Sequence, residues 1–285
     1  MTRAALAFVA ALGFAATPGF AATLGFAATL GFVAVLGASC TAHASWTLTA
    51  VEIARSEGVP ARRLIADADP RARVAMSWYV LVARDGVRTV LIDAGTDRFT
   101  EPTGEASRRS WRVVRAVTVS EALARIGVAP ADVTDVVLTH HHWDHVEALG
   151  SFPSARVHAH PIEWARIPES LRRPVERDDR LVLHRESGAL WPGFEVRVAG
   201  AHTRAQWMLA LACADGEVIV ASDAAYLDAN LRGPTAVAVT VSEARNVAAL
   251  RAAIEEVGAD RIVPGHEPAL FDRFGDGAGV ARICR

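Results

Sequence analysis

The sequence predicts an α/β protein in which helices cover β-sheet. Short runs of apolar and β-branched residues, typical of strands, occur in both halves of residues 45–285. Helical patterns separate these runs, and this alternation favours a layered α/β architecture. Because no linker rich in Pro, Gly or Ser divides residues 45–285, we predict a single domain there.

The predicted elements follow in chain order. Strands are predicted at Trp46–Ile53, Ala75–Ala83, Val87–Asp93, Val133–Leu138, Arg156–Ala159, Phe194–Ala199, Gln206–Ala212 and Glu217–Ala221. Helices are predicted at Ser110–Ile126, Pro161–Ile167 and Ser242–Val257. Asp85-Gly86 is a hairpin turn signal between two of the strands. Ser242 is a suitable N-cap for the last helix, and Gly258 is a suitable end for it.

Residues 1–44 have a different composition from the predicted domain. They are apolar and small, they repeat the unit Gly-Phe-Ala-Ala-Thr-Leu, and they end in the small-x-small sequence Ala42-His43-Ala44. This pattern predicts a secretory signal peptide cleaved after Ala44, and therefore export to the periplasm or the medium. The alternative is an uncleaved membrane anchor, since the apolar stretch is long enough to span a bilayer.

The charge of the chain narrows the classes of partner that it is expected to bind. The 285 residues carry a net charge of -2, which gives no reason to expect a nucleic-acid partner. Membrane contact is expected only if residues 1–44 remain attached, and the sequence leaves the oligomeric state open.

Cys213 lies in a strand-like run, where we expect a buried free thiol. A disulfide with Cys284 is the alternative that an oxidising compartment permits.

One short segment carries most of the chemistry. Residues 139–145 read Thr-His-His-His-Trp-Asp-His, so His140, His142, Asp144 and His145 form the pattern His-x-His-x-Asp-His. Imidazole nitrogens and a carboxylate oxygen suit Zn²⁺ and similar divalent metals. A polar loop without function is the weaker reading, because the run directly follows the predicted strand 133–138 and precedes a helical turn. The segment therefore predicts a metal site at a strand end.

Other polar residues also follow or end strand-like runs, including the short run Arg261-Ile262-Val263 before the last of them. They are Asp93, His202, Asp223 and His266. Loops at one edge of a sheet converge, so we expect these residues near the histidine run. His158 and His160 imitate the His-x-His spacing, but no Asp-His follows them, and we do not expect them to bind metal. His141 is expected to face solvent or to make a local hydrogen bond.

In this order, the motifs resemble those of the metallo-β-lactamase fold superfamily of metal-dependent hydrolases. Within it, Ser222-Asp223-Ala224-Ala225-Tyr226 and the segment 264–271 (Pro-Gly-His-Glu-Pro-Ala-Leu-Phe) are most similar to N-acyl homoserine lactonases. The resemblance implies a four-layer αββα sandwich with two divalent metal ions at one edge, Zn or alternatively Mn, Fe or Co. One departure is Ala201-His202-Thr203-Arg204-Ala205, where those lactonases have Gly-His-Thr-Pro-Gly.

The resemblance also implies a role for each candidate residue. His140, His142 and His202 would hold one metal, and Asp144, His145 and His266 would hold the second, with Asp223 bridging them. A metal-bridging hydroxide would attack the carbonyl carbon of a lactone. Tyr226 would donate a hydrogen bond to the carbonyl oxygen, Asp144 would also help to move a proton to the departing alkoxide, and Asp93 would orient a ligand imidazole or a loop backbone.

Three functions fit these expectations. The first is hydrolysis of a small-molecule lactone or ester similar to an N-acyl homoserine lactone. The second is a broader exported hydrolase acting on aryl esters, phosphotriesters or β-lactams. The third is a metal-binding protein without catalysis, which is disfavoured because all the ligand types are present. Trp143, Trp164, Trp191 and Trp207 are expected in the core or in a pocket wall.

Overall fold

The computed structural model describes residues 45–285, which fold into two β-sheets with helices on their outer faces. The predicted signal peptide or membrane anchor of residues 1–44 lies outside the described residues. Within the described part, no helix combines the length and the apolar character needed to cross a membrane.

The elements are bounded as follows. The strands are β1 (Thr47–Pro60), β2 (Arg73–Arg84), β3 (Thr89–Ile92), β4 (Val113–Ala116), β5 (Asp135–Val137), β6 (Arg156–Ala159), β7 (Leu181–Leu183), β8 (Gly188–Trp191), β9 (Phe194–Val198), β10 (Trp207–Cys213), β11 (Gly216–Ser222), β12 (Ile262–Pro264) and β13 (Val280–Cys284). The α-helices are α1 (Glu105–Trp111), α2 (Val119–Ala124), α3 (Trp143–Val146), α4 (Pro161–Trp164), α5 (Glu169–Arg177), α6 (Asp228–Arg232), α7 (Glu243–Val257) and α8 (Leu270–Arg273). Short 3-10 helices occur at Ala61–Arg63, Pro102–Gly104, Pro130–Asp132, Glu147–Ser151 and Ala259–Arg261.

The strand order places the ends of several strands at a common edge. The larger sheet runs β13-β1-β2-β3-β5-β6-β7, with β4 beside β1, and the smaller sheet runs β12-β11-β10-β9-β8. In the larger sheet β3, β5, β6 and β7 are parallel neighbours, and in the smaller sheet β11 is parallel to β12. Segments that leave the carboxyl ends of parallel strands emerge on the same side, where open α/β sheets place their ligands.

Three hydrophobic clusters separate four layers. Alternate residues of β10 show this: Leu209 and Leu211 pack against the larger sheet, while Met208 and Ala210 pack towards α7. This period of two is what a strand buried on both faces requires. On the opposite side, Leu123 of α2 lies in the cluster that covers the outer face of the larger sheet. The predicted αββα sandwich is therefore confirmed.

The helix predicted over Ser110–Ile126 is wrong. Arg112 adopts a left-handed conformation that ends α1, and β4 then pairs with β1. The side chain of Thr118 caps a new helix, α2, in a capping box with Glu121. A tertiary strand pairing thus interrupts a segment whose local pattern favours one helix. By contrast, α7 begins after its Ser242 cap and ends before Gly258 as predicted.

The two cysteines also differ from expectation. Cys213 at the end of β10 and Cys284 in β13 form a disulfide, with their Cα atoms 6.0 Å apart. The expectation of a free thiol at Cys213 is therefore wrong. The pairing joins an edge strand of the larger sheet to the smaller sheet across 71 residues of sequence. Nothing in the local sequence around either residue could have specified it.

Candidate metal centre

Loops at the strand ends bring all seven predicted ligands into two adjoining groups. His140, His142, His202 and Asp223 form one group, and Asp144, His145 and His266 form the other; in each, one potential ligand atom per residue lies within 4.8 Å of the rest. His140 and His142 follow β5, and Asp144 and His145 lie in α3. His202 lies between β9 and β10, Asp223 directly follows β11, and His266 follows β12. Their metal ligation itself stays a prediction.

The first group has separations suited to one small cation. Nδ1 of His142 lies 3.1 Å from Nε2 of His140 and 2.8 Å from Nε2 of His202. Oδ2 of Asp223 lies 3.5 Å from Nε2 of His140 and 3.4 Å from Nε2 of His202. Tetrahedral Zn–N bonds of about 2.0–2.1 Å place ligand nitrogens about 3.3 Å apart.

The second group uses the other oxygen of the same carboxylate. Oδ1 of Asp223 lies 3.3 Å from Nε2 of His145 and 3.4 Å from Nε2 of His266. Asp144 completes this group, with its Oδ1 3.9 Å from His145 and its Oδ2 3.6 Å from His266. Because the two oxygens of Asp223 face different groups, this residue is placed to bridge two cations.

Two buried atoms support a metal at this position. Nε2 of His145 and Oδ1 of Asp223 are buried and have no hydrogen-bond partner among the described residues. Leaving such atoms unpaired costs about 1–3 kcal/mol each, so a ligand that satisfies both is favoured. Gly265 keeps the space open, since a Cβ atom there would lie 2.5 Å from Oδ1 of Asp223. These residues therefore fit a pair of divalent cations.

Three of the predicted ligand histidines are held through Nδ1, the ring nitrogen that points away from Asp223. Nδ1 of His145 lies 2.7 Å from Oδ2 of Asp93, and Nδ1 of His266 lies 3.0 Å from the carbonyl oxygen of Ser77. Nδ1 of His202 lies 2.5 Å from the carbonyl oxygen of Val239. Contacts of this kind fix the ring orientation and leave Nε2 as the available ligand atom.

Asp93 contacts both an imidazole and a loop backbone, the two alternatives predicted for it. Besides contacting His145, its carboxylate accepts a hydrogen bond of 2.7 Å from the backbone N–H of Thr139. The Thr139 hydroxyl also contacts Asp93 and lies 3.1 Å from Nδ1 of His140. A single buried carboxylate at the end of β3 thus orients one imidazole and fixes the start of the ligand loop.

Trp78 and Glu163 also belong to the site, although sequence reasoning missed them. The indole N–H of Trp78, in β2, donates to Oδ2 of Asp144 at 3.1 Å. Glu163, in α4, is 1% exposed and contacts Nδ1 of His141. Its other oxygen accepts hydrogen bonds from Thr203 Oγ1 and from the backbone N–H of Ala205, both at 2.8 Å.

Glu163 therefore joins the two loops that carry His142 and His202. It does so in the segment where Ala201-His202-Thr203-Arg204-Ala205 departs from the Gly-His-Thr-Pro-Gly pattern. The hydrogen bond of His141 is thus made across the fold, not locally. The only sequence signal would have been an acidic residue next to Trp164 in a short helical turn, which is too common to be specific.

Burial and neighbouring charge divide the histidines into two classes. Burial lowers the pKa of His140 and His202, and it lowers the pKa of His142 to about 4. Burial has the same effect on His145 and His266, but Asp223 and the other carboxylates outweigh it and raise the pKa of both. The carboxylates thus favour the protonated, positively charged form of His145 and His266. A metal cation that displaces these protons supplies the same positive charge.

A cavity of about 260 Å³ opens beside the ligand groups. Its lining comprises Arg63, Leu64, Met76, Trp111, His142, Trp143, Asp144, Asp223, Tyr226, Val239 and His266. Tyr226 is buried, and its hydroxyl lies 3.5 Å from Nδ1 of His202. Burial and then the charges of Asp223 and Asp144 raise the pKa of Tyr226 well above its usual value. The phenol therefore keeps its proton near neutral pH and can donate a hydrogen bond into the cavity.

Of the remaining aromatic and histidine candidates, Trp143 lines this cavity and the others lie away from it. Trp143 is a cavity wall, whereas Trp164 and Trp207 are buried in hydrophobic clusters and Trp191 packs against one. His158 lies between Asp135 and His184, with contacts of 2.9 and 3.1 Å. His160 accepts a hydrogen bond from the N–H of Ile162 as the N-cap of α4.

A family model described as the metallo-beta-lactamase superfamily matches residues 72–266, which include every predicted ligand. The chain belongs to the metallo-beta-lactamase superfamily. A curated member, the N-acyl homoserine lactonase AttM of Azorhizobium caulinodans, is 32% identical over 188 residues, covering 58% of this chain and 70% of that protein. The family prediction made from the motifs is confirmed.

Solved structures agree with this membership at the level of the fold. A probable metal-dependent hydrolase from Staphylococcus aureus has a TM-score of 0.66 at 14% identity, covering 85% of this chain and 97% of its own. A variant of B. thuringiensis AiiA with bound N-decanoyl-L-homoserine has a TM-score of 0.62 at 17% identity, with coverage of 78% and 93%. The dizinc lactonase AidC has a TM-score of 0.61 at 14% identity, with coverage of 83% and 90%.

Proposed function

We propose that this protein is an exported metal-dependent lactonase that opens an N-acyl homoserine lactone or a closely similar lactone. The observation that carries the proposal is the position of Tyr226. Tyr226 and Asp223 line the same cavity, so a hydrogen-bond donor and the predicted bridging ligand would meet one substrate. The similarity to AttM supports the same substrate class.

Each residue contributes a distinct part of the proposed reaction. His140, His142, His202, Asp144, His145, His266 and Asp223 would hold two divalent cations, with Zn as the first choice and Mn, Fe or Co as alternatives. When bound, such a pair supplies a hydroxide nucleophile near neutral pH and Lewis acidity for the carbonyl. Tyr226 would donate to the carbonyl oxygen as negative charge develops there. Asp144, held by the Trp78 indole, would accept the proton of the hydroxyl group that has added to the carbonyl carbon and pass it to the departing alkoxide.

A substrate panel tests this proposal. The purified protein, loaded with Zn²⁺ or Mn²⁺, is assayed with homoserine lactones, aryl esters, phosphotriesters and β-lactams, and the metal-stripped protein is the control. We expect ring opening of lactones to give the highest kcat/KM. Absence of lactone opening above the metal-stripped control would refute the lactonase proposal. Absence of turnover for every substrate, despite bound metal, would favour a non-catalytic metal-binding protein.

Substitution of Tyr226 by Phe tests the role of its hydroxyl. We expect a fall in kcat for lactones of about 100-fold, since loss of one oxyanion donor has an effect of this size. Metal content, measured by elemental analysis, should not change, because the hydroxyl is not among the predicted ligands. An unchanged kcat/KM would remove Tyr226 from the mechanism and leave the metal centre intact.

Hydrolysis of aryl esters is the second candidate function. The indole rings of Trp111 and Trp143 both line the cavity, and aromatic walls of this kind suit an aromatic leaving group. The panel separates the two candidates directly. A higher kcat/KM for aryl esters than for any lactone would favour this alternative.

Export is supported by two independent features of the chain. Residues 1–44 have the composition and ending of a signal peptide, and Cys213 is bonded to Cys284. Disulfides persist in oxidising compartments and are rare in the cytosol. Mass spectrometry of the protein recovered from the periplasm or the medium should find Ser45 as its first residue. Recovery of the intact chain in the membrane fraction would instead indicate an anchor.

A further inference from the structure

Two arginines stack on the two tryptophans of the cavity wall, but only one of them has a carboxylate partner within residues 45–285. The guanidinium of Arg98 lies 4.3 Å from the ring centre of Trp143 and is paired with Glu147 at 2.6 Å. The guanidinium of Arg63 lies 3.6 Å from the ring centre of Trp111. Among residues 45–285, no carboxylate lies within ion-pair distance of Arg63.

Arg63 is also held in place without using up its hydrogen-bonding capacity. Its Nη1 donates to the carbonyl oxygen of Ser110 at 2.8 Å, and the stacked face rests on Trp111. A guanidinium has five N–H donors in a fixed fork, so several stay available. The residue lines the same cavity as Asp144, Asp223 and Tyr226.

The other residues that line the cavity indicate which kind of substrate group would contact Arg63. Leu64 and Met76 line the cavity together with Arg63 and the metal centre, and both are almost fully buried. An apolar chain fits against such side chains, whereas a polar chain would lose hydration there. Arg63 itself is partly withdrawn from water, and burial lowers the pKa of its guanidinium, so an anionic partner would restore lost stabilisation.

We propose that Arg63 is a specificity-determining residue that binds a carboxylate at the far end of the substrate's acyl chain. The preferred substrates would then be lactones or esters whose short acyl chain ends in a carboxylate, instead of those ending in a methyl group. A planar carboxylate can accept two parallel hydrogen bonds from the guanidinium fork, which gives orientation as well as affinity. This inference rests on the proposed hydrolase function for its substrate class.

Matched substrates test the proposal. The metal-loaded protein is assayed with N-hexanoyl homoserine lactone and with its analogue bearing a terminal carboxylate, N-adipoyl homoserine lactone. We expect KM to be about 10-fold lower for the carboxylate analogue, with kcat nearly unchanged, since a charge-assisted hydrogen bond has an effect of this size or larger. The substitution Arg63→Met, which keeps an apolar stem beside Trp111, should abolish the preference, and Arg63→Lys should restore part of it.

Arg62→Met is the matched control, because Arg62 is exposed and does not line the cavity. It should leave the preference unchanged. The proposal is overturned if the native protein shows no preference for the carboxylate analogue, or if Arg63→Met keeps it. It is also overturned if Arg63→Met raises KM equally for both lactones, since the residue would then only support Trp111.

A binding measurement keeps this test separate from the lactonase proposal. Calorimetry compares glutarate with butyrate, which differ by one terminal carboxylate, on the metal-loaded protein. If no lactone is opened but glutarate binds about 10-fold more tightly and Arg63→Met removes the difference, the lactonase proposal fails and the role of Arg63 stands. If lactones are opened but neither measurement shows a preference for the carboxylate compound, the lactonase proposal stands and the role of Arg63 fails.

Discussion

Two histidine clusters of this protein differ in which ring nitrogens are available, although each contains the first histidine of a His-x-His sequence, His140 or His158. In the metal centre, Nδ1 of His145 is held by Asp93, while its Nε2 is buried without a partner in the described residues. In the second cluster, formed by Asp135, His158 and His184, both nitrogens of His158 are engaged, at 2.9 and 3.1 Å. His145 therefore differs from His158 in having a buried ring nitrogen that the fold orients and leaves without a partner among the described residues.

The two clusters also differ in what surrounds them. Asp223 sits among four histidines at distances of 3.3–3.5 Å and contributes a separate oxygen to each group. In the second cluster, Asp135 faces a single histidine and also accepts a hydrogen bond from Thr134. The first arrangement gathers ligand atoms around two points, whereas the second is a chain of hydrogen bonds that ties β5 to β6 and to the segment after β7.

The largest expected effect is that of Asp223→Ala. Both groups lose their shared carboxylate, so we expect elemental analysis to find fewer than two metal ions per chain. The fall in kcat/KM should exceed about 100-fold, the upper end for loss of a residue that only supports a ligand. The matched control is His158→Asn in the second cluster, which should leave metal content unchanged. Retention of two metals and of activity by Asp223→Ala would contradict the dinuclear site.

A second test acts on Asp223 without removing it. In Gly265→Ala the new Cβ would lie 2.5 Å from Oδ1 of Asp223 and 3.0 Å from the backbone of Ser222, so the carboxylate must move. We expect activity to fall by about 10–100-fold, with weaker binding of the second metal. Gly150→Ala is the control, since nothing lies within 4 Å of its Cβ position. Equal metal affinity and activity in the two variants would show that this close approach is not needed.

A smaller effect is expected at Glu163, which supports the site from outside. Glu163→Gln keeps the size of the side chain but removes one acceptor oxygen from the contacts with His141, Thr203 and Ala205. The loop of His202 should then be held less firmly, and we expect metal affinity to fall by about 10-fold. Competition with a chelator measures this. An unchanged affinity together with a lower melting temperature would assign Glu163 to stability alone.

The smallest effect is expected in the second cluster, and it concerns stability. Asp135→Asn should reduce the free energy of unfolding by about 1 kcal/mol at neutral pH, through loss of the charged contact with His158. The hydrogen bond from His158 and the one from Thr134 outweigh burial and lower the pKa of Asp135. A lowered pKa in the folded state gives stability that is present above the usual aspartate pKa of about 3.9 and is lost as pH falls.

Denaturant unfolding at several pH values tests this sign. The free energy of unfolding of the native protein should exceed that of Asp135→Asn by a constant amount between about pH 6 and about pH 8. This difference should shrink on acidification below about pH 4. A difference that grows on acidification would mean that the carboxylate is not stabilised by the fold. Metal content should be equal in both proteins throughout the neutral range, in contrast to Asp223→Ala.

Whether an element was predicted correctly depends on whether nearby or distant residues determine its structure. The helix α7 was predicted within one residue, since its Ser242 cap, its apolar spacing and Gly258 are all local signals. The helix predicted over Ser110–Ile126 failed because β4 pairs with β1, about sixty residues earlier in the chain. Strand β13 was not predicted at all; its place in the sheet beside β1 is likewise set by distant residues.

The sequence by itself determined the identity of the candidate ligands and their places after strands. This was possible because strand periodicity and the chemistry of imidazole and carboxylate groups are readable residue by residue. Only the tertiary structure decided which nitrogen of each histidine faces the centre, and that Glu163 joins two ligand loops. It also decided that Cys213 pairs with Cys284 and that Arg63, unlike Arg98, has no carboxylate partner in the described chain. These are contacts between residues distant in sequence, and their geometry exists only once the two sheets have packed.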